Sequence, residues 1–384
     1  MRKDTRPDPY LYWKQLLNHL KTQGKDNSVF FDGSMVYPRQ FEIHLPGNAY
    51  SPCNLHCSHC AGKLFDKSLG KWELDGLILL ENLKGKIPYH IYGGAYTEPL
   101  LNPFLMAYLT MTKKYGNYFG IHTNGTIIKQ LHEQHNWIDR LNEISTNKTD
   151  YLSIAIDAGF SWSWGKVKGT KQYKMYSDII EAIQLISKSN PKYAIRLCYL
   201  ISEHSNNMEN FVSIINLSKE LGLDSCRFSI PFDNYNKSFD NIRKNYKPKV
   251  EQKYDSIYYE MLRPLLSTDK QEKPYIFYTG PEFTDIDKYT FKHCLYGYYQ
   301  ITLGADGYMY KCSTTATPTA KQCRLSKITT DVKEFENILM RNYNKKWDCQ
   351  KQCFDKKVRC NRMGLEINLA YKNLGEINEF TYSC

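Results

Sequence analysis

Cys53, Cys57 and Cys60 stand at the spacing CxxxCxxC in the segment Cys53-Asn54-Leu55-His56-Cys57-Ser58-His59-Cys60. Thiolates are soft ligands, and three of them on one short loop can each hold one iron of a [4Fe–4S] cube. The fourth iron of such a cube has no protein ligand and is open to a small molecule. The same residues also suit a zinc loop, in which His56 or His59 would help complete a tetrahedral set. A strand-like run, Phe41-Glu42-Ile43-His44-Leu45, precedes the cysteines and would set their loop at the end of a strand.

Two further segments carry groups suited to a small polar ligand. Tyr92-Gly93-Gly94 runs on to Glu98-Pro99-Leu100, and glycines there let the backbone approach a ligand closely. His122-Thr123-Asn124-Gly125-Thr126 ends another strand-like run with an Asn-Gly turn. Seven of the twelve cysteines lie beyond residue 290, at 294, 312, 323, 349, 353, 360 and 384. A hairpin pattern, Ile301 to Tyr310 with Gly304-Ala305-Asp306-Gly307 at its turn, brings Cys294 and Cys312 to one end. Twelve cysteines with no secretion-type apolar leader point to metal rather than disulfides.

Together these segments resemble the radical S-adenosylmethionine (radical SAM) superfamily, and the tail resembles its SPASM subfamily, which carries auxiliary iron–sulfur clusters. The resemblance covers roughly residues 40–232 and 291–384. It implies a [4Fe–4S] cluster on Cys53, Cys57 and Cys60 with SAM bound at the open iron. It places Gly93, Gly94, Glu98, Thr123 and Asn124 beside SAM, although three residues separate Gly94 from Glu98 where the family has a shorter turn. Ser153, Asp157 and Arg196 lie where family members contact ribose and the methionine carboxylate; a structural ion pair between Arg196 and Asp157 is the alternative.

In the tail the resemblance assigns Cys349, Cys353, Cys360 and Cys384 to one auxiliary [4Fe–4S] cluster. Cys294, Cys312 and Cys323 are assigned to a second, whose fourth ligand is not identified. The block C-x3-C-x6-C departs from the family's usual C-x2-C-x5-C-x3-C, and Gly364 stands where a fourth cysteine would be. The implied enzyme cleaves SAM reductively to a 5′-deoxyadenosyl radical and abstracts a hydrogen atom. Its expected substrate is a ribosomally made peptide, to be crosslinked, epimerised or oxidised. A small molecule such as a sugar or aminocyclitol is the second choice. An electron donor such as flavodoxin or ferredoxin is expected. The reading from another class is a non-catalytic zinc-binding protein.

These residues need a scaffold. Residues 1–39 are polar, with a helix expected over Tyr10–Thr22, and form an N-terminal extension. From residue 40 to 232 strand and helix signals alternate. Strands are predicted at Phe41–Leu45, Tyr89–Tyr92, Tyr118–His122, Tyr151–Ile156, Ala194–Leu200 and Ser225–Ile230. Helices are predicted at Leu100–Lys114, Tyr176–Lys188 and Met208–Leu221. The alternation implies an α/β fold with parallel strands, and six such units fit the partial (β/α)6 barrel of the family. Residues 233–290, with a helix near Tyr254–Leu266, read as a bridge, and 291–384 as a C-terminal cysteine-rich domain.

Alternation along the strands separates two faces. Phe41, Ile43 and Leu45 oppose Glu42 and His44; Leu152, Ile154 and Ile156 oppose Ser153 and Asp157. Ile195, Leu197 and Tyr199 oppose Arg196 and Cys198; Cys226, Phe228 and Ile230 oppose Ser225, Arg227 and Ser229. The polar face predicts a wet lumen built for a polar ligand. Cys198 should point into it, where a thiol can return a hydrogen atom to a substrate radical, while Cys226 should pack under helices. No run approaches the roughly 18 apolar residues of a membrane span, so a soluble cytoplasmic protein is expected. The net charge of +11 is shared with no basic, aromatic-interleaved stripe, so nucleic acid is not expected as a partner.

Overall fold

The computed structural model describes residues 11–48, 51–57, 60, 72–94, 97–229, 257–269, 271–279, 294–316, 321–344 and 362–379. The six predicted strands form: β1 (Gln40–Ile43), β2 (Tyr89–Tyr92), β3 (Tyr118–Thr123), β4 (Tyr151–Ala155), β5 (Ala194–Leu200) and β6 (Ser225–Ser229). They pair in chain order, all parallel. A parallel sheet needs crossovers, and helices supply them. Between the strands lie α3 (Glu73–Leu83), α4 (Leu105–Lys114), α5 (Ile128–His135), α6 (Trp137–Ile144), α7 (Ser161–Lys168), α8 (Lys174–Lys188) and α9 (Met208–Glu220). They follow two N-terminal helices, α1 (Leu11–Thr22) and α2 (Val29–Asp32).

The sheet is larger than predicted at both ends. β7 (Tyr275–Thr279) pairs parallel to β6, inside the stretch read as a bridge. Its sequence, Tyr-Ile-Phe-Tyr-Thr, is all β-former, but Pro274, Gly280 and Pro281 around it look like turn residues. Proline is compatible with a strand's entry, where no ladder bond is lost. At the other end β8 (Gln300–Leu303) pairs parallel to β1, then turns into the antiparallel β9 (Tyr308–Tyr310) and β10 (Arg324–Lys327). The result is one ten-stranded sheet in the order β10-β9-β8-β1-β2-β3-β4-β5-β6-β7. The hairpin of the cysteine-rich tail is therefore a continuation of the barrel sheet.

Prolines also account for two helix differences. The helix expected over Leu100–Lys114 divides into a 3-10 turn, Pro99–Leu101, and α4, because Pro103 disfavours helical backbone at Asn102. The helix expected near Tyr254–Leu266 is, among described residues, a π-helical turn at Ile257–Leu262 and a 3-10 turn at Arg263–Leu265, where Pro264 has no N–H to give.

The predicted faces are realised. In β5, Ile195, Leu197 and Tyr199 are buried under helices, while Arg196 is half-buried on the other face. In β6, Cys226 and Phe228 are fully buried and Ser225, Arg227 and Ser229 are not. α8 lays Ile179, Ala182, Ile183 and Ile186 onto the sheet at i, i+3, i+4 and i+7. Each of its buried isoleucines contributes about 1.5–3 kcal/mol. α9 starts at Asn207, whose side chain accepts the Asn210 N–H at 3.0 Å, a cap of about 1 kcal/mol.

The N-terminal extension belongs to the tail's core. Trp13, Leu16 and Leu20 of α1 pack with Tyr296, Tyr298 and Tyr299 of α10 (Tyr296–Tyr299) and with Ile367 and Ala370 of α12 (Arg362–Glu379). Between them, α11 (Val332–Asn344) lays Phe335, Ile338 and Leu339 on the barrel core. No helix among the described residues is long and apolar enough to cross a membrane.

Candidate active site

The cysteine loop leaves β1 at the carboxyl ends of the parallel strands, the end at which such sheets bind ligands. Its fold is fixed by hydrogen bonds. Ser51 Oγ donates to Cys53 O at 2.5 Å, Cys60 N donates to Cys57 O at 3.1 Å, and Glu98 N donates to Pro52 O at 2.9 Å. Asn124, at the end of β3, donates from Nδ2 to Cys53 Sγ at 3.6 Å and to Asn54 Oδ1 at 2.9 Å. Asn54 Nδ2 donates in turn to Thr126 Oγ1 at 2.8 Å, and Leu55 N to Cys53 Sγ at 3.4 Å. Two N–H groups thus point at one sulfur.

The thiols are half-buried and feel one another. Burial pushes the Cys53 thiol up to about 12, with Glu98, Cys57 and Cys60 adding to it and the Leu55 N–H opposing. Burial raises Cys57 as well, and Lys168 pulls it back. Among the described residues no three His, Cys, Asp or Glu side chains close around a single point as one metal ion requires. Three soft thiols on one half-buried loop are the number and type of ligand that a cube takes from the protein, each thiolate meeting its own iron.

Gly93 and Gly94 sit where β1, β2 and β3 meet. Gly93 has a φ of +98°, and a Cβ there would lie 2.3 Å from His122 O. A Cβ on Gly94 would lie 2.3 Å from the ring of His44. Both positions thus require glycine for the chain's own packing, which leaves the backbone bare at the mouth. Glu98 braces the same turn. Its carboxylate accepts from Leu100 N at 3.1 Å, Thr123 Oγ1 at 2.6 Å and Asn124 N at 2.6 Å. Burial pushes this carboxyl up to about 7, against the pull of those three donors and of Lys168.

Asp157 follows β4 with a φ of +56°, a left-handed conformation that aspartate tolerates better than most residues. Its Oδ1 accepts from Leu200 N at 2.7 Å and its Oδ2 pairs with Lys168 Nζ at 2.5 Å. The alternative pairing of Asp157 with Arg196 is thus replaced by Asp157 with Lys168. Both partners are almost fully buried. Burial alone would lower the Lys168 ammonium; Asp157 and the thiols of Cys57 and Cys53 outweigh it and hold it above its usual range. A Cβ on the next residue, Gly169, would lie 2.4 Å from His56 O, so the end of α7 is packed against the cysteine loop.

Below the mouth the lumen is polar. Glu42 accepts from His44 Nε2 at 2.7 Å and from Gln300 Nε2 at 2.7 Å. His122 Nε2 and Tyr151 OH are 2.9 Å apart. Burial, with Arg227 and Arg196 nearby, lowers the His122 ring to about 3, so it is neutral at ordinary pH. Cys198 Sγ is 2.8 Å from Ser153 Oγ, on the lumen side as its parity predicts. Cys226 is fully buried, with Ser218 of α9 beside its thiol. Arg196 donates from Nε to Ser225 Oγ at 3.3 Å.

In the tail, Asn368 Nδ2 donates to Cys294 Sγ at 3.7 Å and Cys312 Sγ is 3.0 Å from Thr314 Oγ1. Cys323 is fully buried against Tyr310 and Ala316, with Cys294 packed on the same cluster, while Cys294 and Cys312 both pack on the core that α1 shares with the tail. Cys349, Cys353, Cys360 and Cys384 lie outside the described residues. Sequence reasoning missed Lys168 and Asn54, and it put Arg227, whose Nε has no hydrogen-bond partner, on the polar face of β6 without giving it a role.

No family model and no curated protein matches the chain. Solved structures do. SuiB from Streptococcus suis, bound to its precursor peptide SuiA, matches with a TM-score of 0.54 and 13% identity over 89% of this chain and 72% of that one. SuiB alone matches at 0.51 and 14% identity, over 86% and 69%. The chain spans 62% of the length of SuiB bound to S-adenosylmethionine, which matches at 0.48. Such likeness shows the fold: this chain shares the arrangement of strands and helices seen in SuiB.

Proposed function

We propose that this chain is a radical SAM enzyme that modifies a peptide. The observation that carries the reading is the cysteine loop at the strand ends, with Asn124 and Leu55 N–H groups aimed at the Cys53 sulfur. Cys53, Cys57 and Cys60 would hold a [4Fe–4S] cluster, which would supply the electron for reductive cleavage of SAM and so the radical chemistry that removes a substrate hydrogen atom. The N–H groups on Cys53 would tune its potential, as hydrogen bonds to sulfur do. The bare backbone of Gly93 and Gly94 receives SAM, Glu98 with Thr123 and Asn124 keeps that backbone in place, Ser153 lines the lumen below it, and Asp157, paired with Lys168, supports the cysteine loop from behind. The peptide reading draws support from SuiB, solved with its precursor peptide. Cys294, Cys312 and Cys323 hold an auxiliary cluster, and the remaining tail cysteines another.

The test is anaerobic reconstitution with iron and sulfide, reduction, and chromatographic assay of 5′-deoxyadenosine. Iron near twelve per chain and 5′-deoxyadenosine formation are expected. Stoichiometric zinc and no SAM cleavage would overturn the reading. Cys198 favours epimerisation among the peptide reactions, because its thiol stands in the lumen beside Ser153. Cys198→Ala is then expected to make 5′-deoxyadenosine without the epimerised product; full product yield would refute the donor role.

A further inference from the structure

The wall of the lumen formed by β5, β6 and β7 carries two cations in need of a counter-ion. Arg196 of β5 spends its Nε on Ser225, and its guanidinium lies 5.1 Å from the ring centre of Tyr151 and 6.0 Å from that of Phe277. Arg227 of β6 is aligned with Cys198 on one side and Phe277 on the other. Its Nε is buried and has no hydrogen-bond partner. The two arginines are diagonal neighbours on adjacent strands, and both charges reach the ring of His122.

The lumen carboxylates are bonded elsewhere, and although the charge of Asp157 reaches Arg227, no carboxylate oxygen bonds it. Asp157 is taken by Lys168 and the Leu200 N–H, and Glu42 by His44 and Gln300. Neutral Ser225 and two aromatic rings do not offset a guanidinium. A buried donor left unsatisfied is costly, and two like charges side by side make it more so. What answers both is an anion with planar oxygens, because the guanidinium fork matches a carboxylate with two parallel hydrogen bonds.

We propose that Arg227 and Arg196 form the recognition site for a carboxylate of the substrate, the side chain of an aspartate or glutamate in the modified peptide. The proposal rests on the radical SAM reading and adds the chemical class of the residue at the site. The other carboxylate on offer is that of SAM itself. Arg196 lies two strand residues deeper than Cys198, about 6.6 Å further from the mouth, which favours the substrate. Arg227 would then hold the acidic residue alongside the Cys198 thiol.

The experiment uses the reconstituted full chain and two probes, N-acetyl-glutamate methylamide and N-acetyl-glutamine methylamide, titrated by ligand-detected NMR. Wild type is expected to bind the acid about tenfold more tightly than the amide, the scale of one charge-assisted hydrogen-bond pair. Arg227→Gln should bring the ratio near one, and Arg227→Lys should restore part of it. Arg196→Gln repeats the test should Arg227→Gln fold poorly by circular dichroism. SAM affinity is measured on the same variants. A tenfold loss of SAM affinity with the acid preference intact assigns the arginines to SAM and overturns the proposal, as does equal binding of acid and amide by wild type. Reductive SAM cleavage by wild type is recorded on the same preparation, so a failure of the radical chemistry is read apart from a failure of carboxylate recognition.

Discussion

The two halves of the barrel treat polar groups in opposite ways. On the side of β1 to β4 with β8, the acids and the His122 ring are answered from within the chain: Glu42 by His44 and Gln300, Glu98 by Thr123, Asn124 and Leu100, His122 by Tyr151. On the side of β5 to β7, Arg227 Nε has no partner and Arg196 is left to a serine and two rings. A saturated network is rigid and holds its shape before anything binds, whereas an unsaturated one is completed by what binds. The first half is thus suited to a cofactor that stays and the second to a substrate that comes and goes.

The largest effect that sharpens this contrast is at the mouth. Replacing Cys53, Cys57 and Cys60 with alanine should lower iron by about four per chain and abolish 5′-deoxyadenosine formation, while the tail clusters survive. Iron analysis and product chromatography read both outcomes, and persistent SAM cleavage would break the division of labour.

Next in size is the buried pair behind the loop. Lys168→Met leaves Asp157 charged and unpaired, and should destabilise the chain by about 3–5 kcal/mol in denaturant unfolding. Adding Asp157→Asn should return much of that loss, since asparagine also accepts the left-handed backbone at this position. If the double variant is no more stable than the single one, the pair is not the support inferred here.

Glu98 sets a pH dependence. Its carboxyl titrates near 7 in the folded chain rather than near 4.5, because burial disfavours its charge. Between those values the folded state holds one proton more than the unfolded state. Stability should therefore fall as pH rises from about 4.5 to 7, by on the order of 3 kcal/mol, and level off above. Glu98→Gln should flatten that slope, which melting curves across the window would check. The smallest effect is steric. Gly94→Ala pushes a methyl group into the His44 ring and should cost about 1–3 kcal/mol of stability, with a matching loss of SAM affinity in a calorimetric titration.

How far the sequence revealed this architecture depended on whether a signal was local. Period-two alternation exposed the six central strands and told Cys198 from Cys226, because each strand has one face under helices. β7 was hidden because the turn residues at Pro274 and Gly280 outweighed a short run of β-formers. The cysteine spacing disclosed the mouth, since its three thiols lie on one loop. Lys168 was invisible: its role arises only when α7 folds back against a loop more than a hundred residues earlier, and no periodicity marks that contact. The same holds for the pairing of β8 with β1.

That pairing sets a timetable for the newborn chain. Gln40 and Gln300 are hydrogen-bonded neighbours in the finished sheet, 260 residues apart in sequence. At about 5–20 residues per second, a ribosome needs roughly 13–50 s between them. Throughout that interval one edge of β1 has no strand beside it, and an uncovered edge invites pairing with other chains. The contact order is high, and such closures are slow. The loop bearing Cys53, Cys57 and Cys60 leaves that same strand, so it is made long before the hairpin that covers the strand's edge. Arrival of the tail hairpin then seals the edge, making the last quarter of the chain the step that ends the hazard.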